Sequence, residues 1–156
     1  MRSYVKLNAC PAFCYTRFIP IESSEKMQYL SKEERREAIL QAAMRVALAE
    51  GLAAMTVRRI AAEAGVATGQ VHHHFASGGE LKSLAFVRVI RELLDADVVG
   101  ENASWRERLH SMLGSDDGGL EPYIRLWREA QILASRDPEI NAAYALTMEM
   151  WHQETV

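Results

Sequence analysis

Residues 56–71 read TVRRIAAEAGVATGQV, and this stretch decides the fold. It predicts two short helices joined by a tight turn, which is the geometry of a helix-turn-helix. Ala61 is small enough for the two helices to approach closely, and Gly65 can adopt the backbone angle that the turn requires. The pattern leaves the start of the second helix free to face a DNA major groove. The residues expected to form the small core between the two helices are Ile60, Val66 and Val71.

Helix-start patterns recur on both sides of this stretch. Ser31–Glu34, Ser77–Glu80 and Ser104–Glu107 are predicted capping boxes, in which a serine hydroxyl and a glutamate carboxylate each accept one backbone N–H. Asp137 precedes a proline at the first position of a helix. Since the sequence shows no strand-like alternation, we predict an all-α fold. The predicted helices run over about 31–50, 56–64, 67 or 68 to 74, 78–94, 104–113, 123–133 and from 138 onward.

Charge is distributed unevenly along the chain, although the net charge is only −3. Residues 27–94 contain nine Lys or Arg against seven Asp or Glu, whereas residues 95–156 contain five against twelve. A mildly basic front half and an acidic back half suit a DNA-reading domain followed by a regulatory one. The alternative is chance scatter of surface charge.

The first 26 residues have no helical or strand period, so we expect an irregular extension with no part in the fold. Cys10 and Cys14 are too few for a disulfide framework or a zinc site. The sequence has no run of apolar residues long enough to span a membrane, which favours a cytoplasmic protein. We also expect no enzymatic activity and no cofactor, because no phosphate-binding loop, catalytic grouping or metal-ligand set is found.

The helix-turn-helix stretch, the helix before it and Phe75 after it resemble the N-terminal domain of the TetR family of transcription regulators. The similarity extends from Ile39 through Gly51, over 56–71 and on to Leu81, and we place the whole domain at 27–94. The resemblance implies a three-helix DNA-binding domain joined by a long helix to a helical bundle for ligand binding and dimerisation, here residues 95–156. It also implies a homodimer on a palindromic operator, acting as a repressor that a small-molecule inducer releases.

The family pattern also implies roles for particular residues. Thr56 and His72 would contact phosphates, while Phe75 would be buried and hold the second helix in place. Gln70 is chemically suited to a bidentate contact with adenine. The residues implied to contact DNA are Thr56, Arg58, Thr68, Gly69, Gln70, His72, His73 and Lys82.

This sequence departs from the family pattern at two positions. Ala67 stands where the family commonly has a capping serine, so we expect Thr68 to cap the helix instead. Gly78 stands where the family usually has lysine, which removes one cation from the phosphate contacts. Lys82, Arg58 or Arg59 are candidates to compensate for it.

Histidines 72–74 suggest a metal site, but neighbouring residues on a helix point about 100° apart and cannot converge on one ion. We therefore expect no metal. Large side chains in the back half can form an adaptable pocket or plain core. The candidates to line an inducer pocket are Met112, Tyr123, Trp127, Met148 and Trp151. Glu121, Glu129 and Glu149 are expected to be solvated.

The last helical pattern continues to the end of the chain without a stop signal, and members of the family usually run longer. We therefore expect a truncated bundle, with Trp151 exposed and weak self-association through the uncovered apolar stripe. The alternative function is a small-ligand-binding or protein-interaction module whose DNA binding is impaired.

Overall fold

A computed structural model describes residues 30–95, 104, 106–107 and 120–155. These residues form helices and no strand, which confirms the predicted all-α class. A three-residue 3-10 helix (Leu52–Ala54) links the first two α-helices. The α-helices are α1 (Lys32–Glu50), α2 (Val57–Ala64), α3 (Thr68–His74), α4 (Gly78–Asp95), α5 (Glu121–Ala134) and α6 (Pro138–Thr155).

Side-chain caps begin the helices largely where the sequence predicts them. The Glu34 amide donates to Ser31 Oγ at 3.1 Å, and the Ser31 amide donates to the Glu34 carboxylate at 2.8 Å, so this capping box is confirmed. Ser104 and Glu107 form the same reciprocal pair. Asp137 Oδ1 accepts from the amides of Glu139 and Ile140 at 3.0 and 3.2 Å, which satisfies two of the donors that α6 leaves open.

The cap of α4 differs in one contact from the predicted box. Ser77 Oγ accepts from the Glu80 amide at 2.8 Å, as expected. The Glu80 carboxylate, however, accepts from the amide of Ala76 and not from that of Ser77. The Ser77 hydroxyl is also within hydrogen-bond distance of Glu139, a residue of α6.

One continuous core joins the front and back halves of the described chain. Phe86 and Ile90 of α4 are fully buried and belong to the same cluster as Leu126 of α5 and Ile140 of α6. Helix α1 contributes much of this core, with Ile39, Leu40, Ala42, Ala43, Met44, Val46 and Ala47 buried. A rigid core of this kind fixes the front-half helices relative to α5 and α6. The division at residue 94 remains a prediction.

Most of the apolar stripe of α6 is covered, contrary to expectation, although Met148 is 46% exposed. Ile140 and Thr147 are fully buried, and the Thr147 hydroxyl donates to the Tyr144 carbonyl at 2.8 Å. Trp151 is only partly exposed and stacks on Trp127 with ring centroids 5.0 Å apart, so the expectation that it is exposed was wrong. The stripe finds its cover in α4 and α5, which pack against α6 within the chain.

Several expectations fall on residues outside the described ranges. They are the irregular extension 1–26 with Cys10 and Cys14, most of the helix expected at 104–113, and Met112. Among the described residues, no helix has the length and apolar character needed to span a membrane.

Candidate DNA-binding interface

Helices α2 and α3 pack as the sequence predicts. Ile60 and Ala61 of α2 and Val71 of α3 are buried, at 0%, 2% and 1% exposure, while Val66 in the turn is half-buried. Gly65 ends α2 with φ +68° and ψ +30°, the left-handed conformation that a side chain disfavours. The turn therefore needs this glycine, and the buried contacts fix how α3 projects from α2.

The face of α3 turned away from this core is open to solvent. Gln70, Thr68 and the glycine between them are exposed, and a Cβ built at Gly69 would meet no atom within 4 Å. His72 and His73 are also exposed. A short helix with a buried rear face and a polar, uncovered front face can enter a major groove and bring donors and acceptors to base edges.

The start of α3 corrects one expectation. The N-cap is Ala67, which has an extended backbone and makes no side-chain capping bond, and the helix begins at Thr68. Thr68 is therefore the first helical residue and not the cap. The reason is the local backbone, because the Gln70 amide already donates to the Ala67 carbonyl at 2.9 Å and closes the first turn there.

Thr56 caps α2. Its Oγ accepts from the Arg59 amide at 3.1 Å, and the side chain is exposed. The bond uses the oxygen only as an acceptor, so the hydroxyl proton remains available to a phosphate oxygen. Thr56 can therefore act in the helix cap and in a DNA contact at the same time.

Three cations near this surface differ in how they are engaged. Arg58 is exposed and Lys82 half-buried, and neither has an ion-pair partner among the described residues. Arg59 is engaged, because its guanidinium pairs with Glu50 at the end of α1 and with Glu63 one turn ahead at 3.0 Å. Of the candidates to replace the missing lysine, Arg59 is therefore already committed within the protein.

The Arg59 contacts belong to a network that ties α2 to α1. Arg45 of α1 pairs with Glu63 at 3.0 Å, so Glu63 receives one guanidinium from each helix. The hydrogen bond from Arg45, followed by that from Arg59, holds the pKa of Glu63 below its usual value. The Glu50 and Glu63 hydrogen bonds raise the pKa of Arg59. Sequence reasoning missed this network, although Arg59 and Glu63 have the i, i+4 spacing of a helical ion pair.

Phe75 is 2% exposed, which confirms its predicted burial just after α3. The Arg36 guanidinium of α1 lies over its ring at 4.6 Å and also pairs with Glu80 of α4 at 3.8 Å. Next to it, burial first and then the nearby cations, including His73, lower the pKa of His74. The junction of α1, α3 and α4 is therefore anchored by an aromatic ring with basic groups around it.

The inducer-pocket candidates are brought together only in part. Tyr123, Trp127 and Trp151 all pack at the edge of the core, and the two indole rings stack nearly parallel at 14°. The Nε1–H of Trp127 is buried and has no acceptor among the described residues. Met148 is 46% exposed, which does not suit a residue lining an enclosed pocket.

Two carboxylates of the back half lie against the front half, and one of them corrects an expectation. Glu129 was expected to be solvated, but it is half-buried and its carboxylate accepts the Leu52 amide at 2.6 Å. Glu139 accepts from the Ser77 hydroxyl at 3.2 Å. Neither contact could be found from local sequence patterns, since the partners are 77 and 62 residues apart.

The sequence of this domain matches a known family. The model of the tetR family of bacterial regulatory proteins matches residues 39–81, which run from α1 through α2 and α3 into α4. Over these residues, the helix-turn-helix domain of this chain is therefore similar to that of the tetR family.

Named relatives agree with this assignment. The chain is 33% identical over 112 residues to the HTH-type transcriptional repressor KstR2 of Mycobacterium tuberculosis, a match that covers 65% of this chain and 54% of KstR2. It is 34% identical over 76 residues to the HTH-type transcriptional repressor DrrR1 of Streptomyces coeruleorubidus, covering 49% of this chain and 28% of DrrR1. The chain thus spans about half the length of KstR2 and less of DrrR1.

A solved structure resembles the fold over most of the chain. The multidrug binding protein EbrR, crystallised in complex with imidazole, superposes with a TM-score of 0.55 and 30% sequence identity. The match covers 74% of this chain and 64% of EbrR. The likeness therefore includes helices beyond the helix-turn-helix domain.

Proposed function

We propose that this chain is a sequence-specific DNA-binding transcription regulator that acts as a repressor. The observation that carries the proposal is the exposed polar face of α3, where Gln70 projects from a helix whose other face is buried at Val71. A glutamine amide offers a donor and an acceptor, which match the N7 and N6 groups of adenine in the major groove. The repressor names of KstR2 and DrrR1 support the same role.

Phosphate contacts would place α3 in the groove. Thr56 offers its hydroxyl at the start of α2, and Arg58 and Lys82 offer cations without ion-pair partners among the described residues. His72 and His73 would add contacts at the exposed end of α3. Such contacts orient a protein on the duplex but read no sequence themselves.

We further propose a homodimer on a palindromic operator. A single α3 of seven residues reaches only a few base pairs, whereas two such helices about 34–36 Å apart read two half-sites on one face of the duplex. A small-molecule inducer would release the DNA. The stacked Trp127 and Trp151, with the buried Trp127 N–H as a donor, are chemically suited to a planar ligand. The description of EbrR as a multidrug binding protein supports this part of the proposal.

The direct test is selection of bound duplexes from a random library by the full chain at low salt. We expect a palindromic consensus, bound with an affinity that falls as salt rises. Sedimentation with the selected duplex would give the number of chains per site, for which we expect two. If the folded chain retains no duplex, selected or random, at low salt, DNA binding is refuted.

A matched control separates base contacts from general charge. Gln70→Ala removes the proposed base contact and leaves the charge unchanged, whereas Gln153→Ala removes an exposed amide from α6 at the far end of the chain. We expect only Gln70→Ala to change the selected consensus. The inducer proposal is tested separately, by adding planar aromatic compounds to the complex and following both DNA release and quenching of tryptophan fluorescence.

A further inference from the structure

The helix-turn-helix segment, here residues 52–77, is held at both ends by the back half of the chain. At its first residue, the Leu52 amide donates to Glu129 of α5. At its last residue, the Ser77 hydroxyl donates to Glu139 of α6. The segment otherwise packs against α1 through α2 and the 3-10 helix, and the 3-10 helix also packs against α5.

The contact at the first end is shaped by backbone chemistry. Helix α1 has no basic residue in its last turn to balance its terminal carbonyls. Arg125 of α5 supplies one, since its guanidinium donates to the Leu48 carbonyl. One turn further along α5, Glu129 accepts from Leu52, so the two side chains bind the carbonyl side and the amide side of the same turn.

Gly51 makes this approach possible. Its φ of +88° is a conformation that residues with a side chain rarely adopt. A Cβ built there would lie 2.5 Å from both carboxylate oxygens of Glu129. Glycine at this position therefore both ends α1 and leaves room for the carboxylate.

A second glycine admits the carboxylate at the other end. A Cβ built at Gly79 would collide with Glu139 Oε2, so the Glu139 side chain lies directly against the first turn of α4. A carboxylate is favoured at the start of a helix, where backbone N–H groups are unpaired. Two separate loops thus follow the same plan, in which a glycine lets a back-half carboxylate reach one end of the segment.

We propose that Glu129 and Glu139 are positioning residues that couple the helix-turn-helix segment to α5 and α6. A displacement of α5 moves Leu52, four residues before the Thr56 cap, and a displacement of α6 moves Ser77, two residues after Phe75. Both ends of the helix-turn-helix segment then move together with α5 and α6. The inference rests on the proposed function for its purpose, but the coupling itself can be measured without DNA.

The test is amide hydrogen exchange, residue by residue, on the full chain. We expect Glu129→Ala to speed exchange about tenfold at 52–57, because a charge-assisted hydrogen bond is lost there. Glu129→Gln keeps an acceptor oxygen and should restore most of the protection. Glu139→Ala should speed exchange at 77–81. The control is Glu149→Ala, which removes an exposed carboxylate of α6 that accepts a hydrogen bond from Gln153 on the same helix.

Gly79→Ala adds an independent variant, because it displaces Glu139 without removing it. We expect Gly79→Ala to reproduce the exchange pattern of Glu139→Ala. The double variant, which carries both Gly79→Ala and Glu139→Ala, should exchange no faster than either single variant. In parallel, the affinity for the selected duplex should fall about three- to tenfold in Glu129→Ala and Glu139→Ala, since the reading surface is less pre-organised.

The outcomes separate the two proposals. Faster exchange confined to the two ends, with weaker duplex binding, supports the coupling. If the variants show this exchange pattern but the wild-type chain binds no duplex, the coupling is supported and the proposed function is refuted. Exchange that matches the Glu149→Ala control, or that rises evenly over all helices, overturns the coupling whether or not the chain binds DNA.

Discussion

Replacing Phe75 with alanine tests the packing that holds α3, the helix proposed to read DNA. The ring is 2% exposed, so its burial contributes about 1.5–3 kcal/mol by transfer alone. The cavity left behind adds to this, because other buried residues of the same core cluster, such as Val71 and Leu81, lie on helices that cannot close in freely. The Arg36 guanidinium over the ring contributes about 0.5–1 kcal/mol more. We therefore expect Phe75→Ala to lower the free energy of unfolding by about 3–5 kcal/mol.

Urea denaturation of the full chain, followed by circular dichroism, measures this directly. Phe75→Leu should cost clearly less, since it keeps most of the buried volume but loses the ring under Arg36. Arg36→Met should cost only the cation–ring and surface ion-pair contributions, about 1 kcal/mol. If Phe75→Ala unfolds at the same urea concentration as the wild type, the ring does not support α3 and the packing argument is refuted.

Three further predictions concern DNA contacts and pH. Gln70→Ala should relax base preference at one position per half-site at a cost of about 1–3 kcal/mol, whereas Thr56→Ala should weaken binding to all duplexes alike. Binding assays on the selected site and its point variants test this difference, and a uniform loss of affinity in Gln70→Ala would contradict the base contact. Glu63→Gln should cost about 1 kcal/mol near neutral pH, and less as the pH falls below 4.5, because a carboxylate with a lowered pKa stabilises the fold only while ionised. Burial lowers the pKa of His74, so below pH 6.5 the unfolded chain takes up a proton first and the folded state loses stability as the pH falls. His74→Gln should reduce this loss of stability in thermal melts at decreasing pH. An unchanged dependence of the melting temperature on pH would contradict the role of His74.

The helices and the exposed face of α3 could be predicted because their causes are local. A serine and a glutamate three residues apart form a cap wherever the chain is helical, as Ser31 and Glu34 do. Gly65 ends α2 because its backbone adopts the left-handed conformation, which glycine accepts without strain. The exposure of Gln70 follows from the helical period once Val71 is assigned to the core.

The remaining contacts could not be predicted because they depend on tertiary packing. Glu129 has the sequence context of a solvated residue, and only the placement of α5 beside the turn at Gly51 gives it an amide to bind. Trp151 continues an apolar stripe that could be exposed or buried, and its stacking on Trp127 depends on how α5 and α6 pack. Helical period identifies such a stripe but not the surface that covers it.

The two glycines that begin α4 both bear on the charge of the proposed DNA interface. Gly78 stands where the family pattern places a lysine, so we expect one phosphate contact fewer there. Gly79 admits the Glu139 carboxylate and brings negative charge to the same helix start. Because Arg59 is also paired within the protein, phosphate attraction in the proposed complex would depend mainly on Arg58, Lys82 and the exposed end of α3. Fewer phosphate contacts mean a shallower dependence of affinity on salt, and a larger share of specificity from the base edges that α3 reaches. In the proposed DNA complex, accurate placement of α3 by Phe75 and the two carboxylates would therefore matter more for base reading than the total positive charge.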